Sequence, residues 1–225
     1  MNTATQAKQV PDIERLFEPT HDERARQSFV SMLRKHAIVD MRQAVKRDYD
    51  TRIAPTLEAD GAPPPDWRAI ENAMEKEESH RFYSSIRYNA QEMCWLSVQP
   101  AVERALPRMI EVAKQLSTDN PSGGSLRLNP DLPLPRYLTM LDVHLAPGWV
   151  HAEYTQDDVA QGAVIAFGAK VFSGQHPYRK RPGIVAESIA EWLKRTRPDF
   201  KPRRMLDMAT TTGKNLLPYK TAFPD

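Results

Sequence analysis

Apolar residues recur at intervals of three and four over the first half of the chain. Phe29, Met32, Leu33, His36, Ala37, Met41, Ala44, Val45, Tyr49 and Ile53 fall on one face of a helix. The spacing predicts a long helix from His21 to the neighbourhood of Pro55, with Asp22 and Glu23 in its first turn favoured by the helix dipole. The preceding segment, 1–20, is polar and weakly periodic. It reads as a mobile N-terminus that docks through Ile13, Leu16 and Phe17. A Gly-Pro loop, Asp60–Pro65, follows the helix. Asp66 is a good N-cap for a short helix from Trp67 to near Lys76.

A second long run places Phe82, Tyr83, Ile86, Ala90, Met93 and Cys94, then Val98, Val102, Leu106, Met109, Ile110 and Leu116, at helical spacing. It predicts helix over roughly 80–116, with a kink or restart at Pro100 and Pro107. Ser117–Arg136 carries Ser-Gly-Gly and Asn-Pro loop signals and marks a boundary. Tyr137–Tyr154 mixes alternation with a Pro147-Gly148 turn and reads as two short strands or an extended arm. Thr155–Asp158 opens a helix that runs to Val171, and Ile184–Thr196 is the last well-patterned helix. The organisation is therefore 1–20, a helical region 21–118, a linker, arm and helix over 119–183, and a final unit 184–225.

That final unit changes character. Met205, Leu206 and Met208 form a short apolar strand with Asp207 at its end. Ala209-Thr210-Thr211-Thr212-Gly213 is a small-residue turn, and Lys214 begins a helix. Strand, tight turn and helix N-terminus are how α/β sheets build a cofactor crevice. The expected fold class is mainly α, a helical N-terminal region followed by the truncated start of an α/β unit.

Composition bounds the function. The 225 residues are 40% hydrophobic and 27% charged, an ordinary balance for a soluble domain. With 31 basic and 29 acidic residues the net charge is +2, which gives no general drive toward nucleic acid or membrane. The 19 prolines against 9 glycines suggest stiff connections between helices. No apolar run is long enough to span a bilayer and no secretory h-region opens the chain, so a cytoplasmic protein is expected. One cysteine, Cys94, excludes an internal disulfide. Its place in a helical apolar pattern suits a buried thiol better than a nucleophile.

The segment MLDMATTTGKN resembles the first motif of the class I S-adenosylmethionine-dependent methyltransferases, a strand ending in Asp followed by a glycine-rich turn. Ala209 stands where that family usually has glycine, Thr211 replaces the middle glycine, and Gly213 matches the last. The closing Ala222-Phe223-Pro224-Asp225 is also typical before the family's second strand. The resemblance extends upstream to Tyr88–Met93 and Asp142–Ala163, which look like the N-terminal extension of one bacterial subgroup. It implies S-adenosylmethionine as cofactor and Asp207, Ala209, Thr211 and Gly213 as cofactor-binding positions. It also implies a Rossmann-like fold of which most strands are missing. The chain then reads as the N-terminal portion of such an enzyme, inactive without its C-terminal half. Its partner would be a complementing methyltransferase chain or a second copy in a homodimer, and its small-molecule substrate is undefined. The alternative is a non-catalytic helical interaction protein derived from such an enzyme.

Other constellations are weaker. Asp142-x-His144 and His151-x-Glu153 flank the Pro147-Gly148 turn and could converge, since two His and a carboxylate suit Fe(II) or Zn(II). Hydrogen-bonded structural roles or a pocket lining weigh more, so no metal is expected. Glu77-x-x-His80 has di-iron spacing but lacks a second such pair on a facing helix. Arg179-Lys180-Arg181, with Lys194, Arg195, Arg203 and Arg204, forms a basic cluster that most often means a solvated rim.

Overall fold

The computed structural model describes residues 16–58, 64–119, 125, 127, 129, 131–137, 144–146, 148, 153, 155, 158–174, 183–208 and 210–224. Among them the protein is mainly α-helical and has no strand. Thr20 opens the first helix through a reciprocal cap: its hydroxyl accepts from the Glu23 N–H at 3.3 Å, and its own N–H donates to the Glu23 carboxylate at 2.7 Å. Helix α1, His21–His36, then continues without a break. It passes through a π-helical turn Ala37–Met41, α2 Arg42–Asp48, a second π turn Tyr49–Ile53 and α3 Ala54–Leu57. The helix ends close to Pro55, as expected: α3 closes at Leu57, two residues beyond it.

Asp66 caps α4, Trp67–Met74, by accepting from the Ala69 N–H at 2.8 Å. The second long run divides into α5, Glu78–Leu96, and α6, Gln99–Asp119. The break lies at Ser97-Val98, where the Ser97 hydroxyl donates to the Cys94 carbonyl at 2.8 Å. Pro100 is therefore a first-turn residue of α6, which helices tolerate, and Pro107 sits inside α6 without ending it. Helix α7, Ala160–Phe172, begins later than the expected Thr155. Asp158 accounts for the delay: its carboxylate accepts from the Thr155 N–H at 2.6 Å and the Ala160 N–H at 2.9 Å, holding a turn ahead of the helix.

The core lies where α1, α5, α6 and α7 meet. Val30, Trp95, Val98, Val102, Leu106, Val164 and Phe167 are buried there together. Small residues let the helices approach: Ala37, Ala90, Ala101 and Ala160 are at most 1% exposed. Trp95 lies over Gly168, where a β-carbon would fall 2.4 Å from the indole ring. Arg34 ties the far end, donating to the Phe172 carbonyl at 2.8 Å with its guanidinium 3.4 Å over the Phe172 ring.

Helix α8, Ile184–Thr196, has the expected bounds, and it packs on α9, Leu216–Ala222. Buried Ala186 and Ala190 belong to α8, and Phe200 meets Phe223 edge-on at 5.9 Å. Gly183 precedes α8 with φ +84°, and a β-carbon there would lie 2.6 Å from Pro218 Cγ. Gly183→Ala therefore combines backbone strain with a clash. It is expected to speed amide exchange across α8 and α9 by about tenfold or more while leaving α5 and α6 protected. Equal protection in both proteins would contradict this packing.

The short strand expected at Met205–Met208 is not formed. A strand needs a neighbour for its ladder, and none lies beside this segment among the described residues. Leu206 is 83% exposed and Met208 78%. Most of the 137–154 region in which strands were expected, 138–143 in particular, lies outside the described residues, as do residues 1–15.

Candidate functional site

The turn after Asp207 is built from local bonds. The Thr210 hydroxyl donates to the Asp207 carbonyl at 2.8 Å, the Gly213 N–H to the Thr210 carbonyl at 2.9 Å, and the Leu216 N–H to the Gly213 carbonyl at 3.0 Å. Two residues take left-handed backbone, Gly213 at φ +71° and Thr211 at φ +52°. For a β-branched residue this is unusual and costs on the order of 1–3 kcal/mol. The turn thus has the shape glycines would favour, and threonine occupies part of it. Thr211 and Thr212 are exposed, while Asp207 and Gly213 are half-buried. A β-carbon at Gly213 would meet nothing closer than 4.0 Å, so the space beside it is open. Ala209 lies outside the described residues. Asp207, Thr211 and Gly213 are thereby gathered on one turn, whose following helix, α9, is only seven residues long.

Of the four hairpin candidates, His144 and Glu153 lie among the described residues. His144 is exposed, and its carbonyl accepts from Trp95 Nε1 at 2.6 Å and Gln91 Nε2 at 3.1 Å. These two donors hold a bend in which Leu145 adopts φ +59° and Ala146 is buried in the core. Glu153 is exposed, and Asp142 and His151 lie outside the described residues. Among the described residues no group of three or more His, Cys, Asp or Glu is placed to hold a metal ion. Glu77 bonds Arg52 across from α5, and His80 Nδ1 is buried with no hydrogen-bond partner. Lys194, Arg195, Arg203 and Arg204 are exposed, while Arg179–Arg181 lie outside the described residues.

Cys94 is buried, and its thiol donates to the Ala90 carbonyl at 3.1 Å. Burial pushes that thiol up to about 11, so it stays protonated near neutrality and is no nucleophile.

One polar constellation was not expected. Buried Glu23 accepts from Arg104 Nη1 at 2.6 Å and Nη2 at 2.8 Å, in addition to the Thr20 N–H. The Arg104 bonds pull the carboxyl from an ordinary 4.5 to about 2, against the opposing effect of burial and with help from Thr20. The pair joins the start of α1 to α6, and Arg104 also reaches the Glu18 carbonyl at 3.2 Å. The Thr20-x-x-Glu23 pattern was the available signal for half of it.

No helix among the described residues is long and apolar enough to cross a membrane. Set against protein-family models, curated proteins and solved structures, the chain matches none.

Proposed function

We propose that this chain is the N-terminal portion of a class I S-adenosylmethionine-dependent methyltransferase: a helical cap joined to the turn that addresses the cofactor. The observation that carries the reading is the 207–213 turn, in which Thr211 is left-handed where the family has glycine and Gly213 is left-handed where the family's last glycine falls. Backbone strain of this kind clusters at ligand-binding turns, which supports the reading. The residues fit the ligand in part. The open space beside Gly213 admits a close approach, and the Asp207 carboxylate suits the cationic end of the cofactor. In such folds an acidic residue that grips the ribose lies about 20 residues past the turn. When bound, the cofactor supplies a methyl group on a sulfonium. The contribution of Asp207, Ala209, Thr211 and Gly213 is to hold and orient it.

The second reading, a non-catalytic interaction protein, rests on a different observation. Val185, Ile189 and Trp192 recur along α8 at one helical face and are 64, 42 and 51% exposed. Isothermal titration separates the readings. The 225-residue chain alone should bind S-adenosylmethionine weakly or not at all. The chain extended by its downstream coding sequence should bind at micromolar Kd, with Gly213→Val weakening it by about tenfold or more. An extended chain that ignores the cofactor would overturn the methyltransferase reading and leave the interaction protein.

A further inference from the structure

Helix α8 carries an exposed apolar stripe. Val185, Ile189 and Trp192 follow one another at four and three residues, so they line one helical face over about 10 Å. Charge is sorted around this stripe. Glu187 and Glu191 each follow a stripe residue by two positions, which turns them to the far side of the helix. Arg195 follows Trp192 by three and stands on the near side. Past the helix the chain stays basic. Arg197, Lys201, Arg203 and Arg204 are exposed, and Asp199 is the single acid between residues 194 and 204. Arg195 and these four cations make no ion pair among the described residues. Phe200, in their midst, is also exposed.

We propose that this face of α8 and the basic segment after it bind an anionic lipid surface, with the helix lying in the plane of the headgroups. The chemistry selects the occupant. A nucleic acid would use the cations but leave the aliphatic Val185 and Ile189 without an apolar partner. An uncharged protein face would cover the stripe and leave the cations unused. An anionic bilayer uses both. Acyl chains cover the stripe, Trp192 sits at the headgroup level that its amphipathic ring favours, and lipid phosphates meet Arg195 and the cations beyond it. Glu187 and Glu191 then point away from a uniformly negative plane, a sorting that an acidic partner helix would not require. The proposal takes up the stripe behind the interaction-protein reading and gives it a partner. It involves none of Asp207, Ala209, Thr211 and Gly213, so the cofactor titration and the lipid test are decided separately.

Sedimentation of the whole chain with vesicles tests this. Phosphatidylcholine vesicles carrying about one third phosphatidylglycerol should bind it, half-maximally below about 1 mM lipid. Pure phosphatidylcholine should bind about tenfold more weakly or worse, and so should the anionic vesicles in about 0.5 M salt, which screens the charges. Ile189→Glu puts an acid in the middle of the stripe, and the double variant Arg203→Gln, Arg204→Gln removes two exposed charges. Each should keep its circular dichroism spectrum and lose about tenfold in vesicle affinity. Phe82→Glu, at an exposed apolar residue of α5, should leave binding unchanged. Absence of binding to the anionic vesicles would overturn the proposal, as would equal binding to pure phosphatidylcholine or undiminished binding by Ile189→Glu. A single-stranded oligonucleotide held more tightly than the vesicles, and equally well by Ile189→Glu, would make the basic segment a nucleic-acid site. A dimer in light scattering that Ile189→Glu splits would make a second copy the cover of the stripe. Either result also overturns it.

Discussion

Replacing Gly168 by alanine destabilises the protein, while the same replacement six residues earlier, at Gly162, stabilises it. Both glycines lie inside α7, where alanine is favoured over glycine by about 1 kcal/mol on propensity alone. The surroundings decide the sign. Nothing lies within 4 Å of a β-carbon at Gly162, so the propensity gain stands by itself. At Gly168 the added carbon would fall 2.4 and 2.8 Å from two atoms of the Trp95 indole. That ring cannot yield easily, because its N–H is fixed on the His144 carbonyl and its face is stacked with Phe172 at 6.0 Å between centroids. Overpacking of this kind costs about 1–3 kcal/mol, enough to outweigh the propensity term. Urea unfolding should give a midpoint below wild type for Gly168→Ala and above it for Gly162→Ala. Equal midpoints for the two variants would mean that the Trp95–Gly168 contact does not govern how α5 and α7 meet.

The Glu23–Arg104 pair should make stability depend on acid in a defined window. The folded-state carboxyl titrates near 2 rather than 4.5, so the folded protein favours the ionised form. The stabilisation is therefore complete above the ordinary value and is lost as pH falls from about 4.5 toward 2. Glu23→Gln removes the charge and with it this dependence. Wild type should be clearly more stable than Glu23→Gln near neutrality, and the difference should shrink on acidification through that window. A stability difference that stays constant across the window would show that Glu23 acts only as the reciprocal cap of Thr20.

Helix periodicity made most of the α-helical architecture legible. The helical extents of 21–55 and 80–116 and the bounds of α8 follow from spacing, but the face read for the first helix is only partly the buried one: Phe29 and Met32 are exposed, while Val30, off that face, is buried in the core because α5 and α7 meet α1 there. Irregularities were less visible. The π turns at Ala37–Met41 and Tyr49–Ile53 leave no mark in a three-and-four pattern that tolerates a one-residue advance. Proline marked two of three places: the helix ends at Leu57, near Pro55, and a new one starts at Gln99, beside Pro100, whereas Pro107 lies inside α6 without ending it. Asp158 delayed α7 through side-chain bonds that compete with the helix. At the candidate turn the residues were visible, but their backbone was not. Nothing in Thr-Thr-Thr-Gly declares that Thr211, and not Thr210 or Thr212, takes the left-handed position.

Trp95 also couples parts of the chain that are far apart in sequence. Its indole joins the His144 carbonyl, 49 residues further along the chain, to a helix crossing that exists only when α7 has arrived. Arg34 and Phe172, 138 residues apart, close the same neighbourhood from the other side. Contacts between such distant partners carry a loop-closure cost before they return any stability. Loss of the α5–α7 crossing is therefore expected to loosen the Trp95 indole and, through it, the 144–146 bend, which faster amide exchange at Leu145 and Ala146 in Gly168→Ala would show.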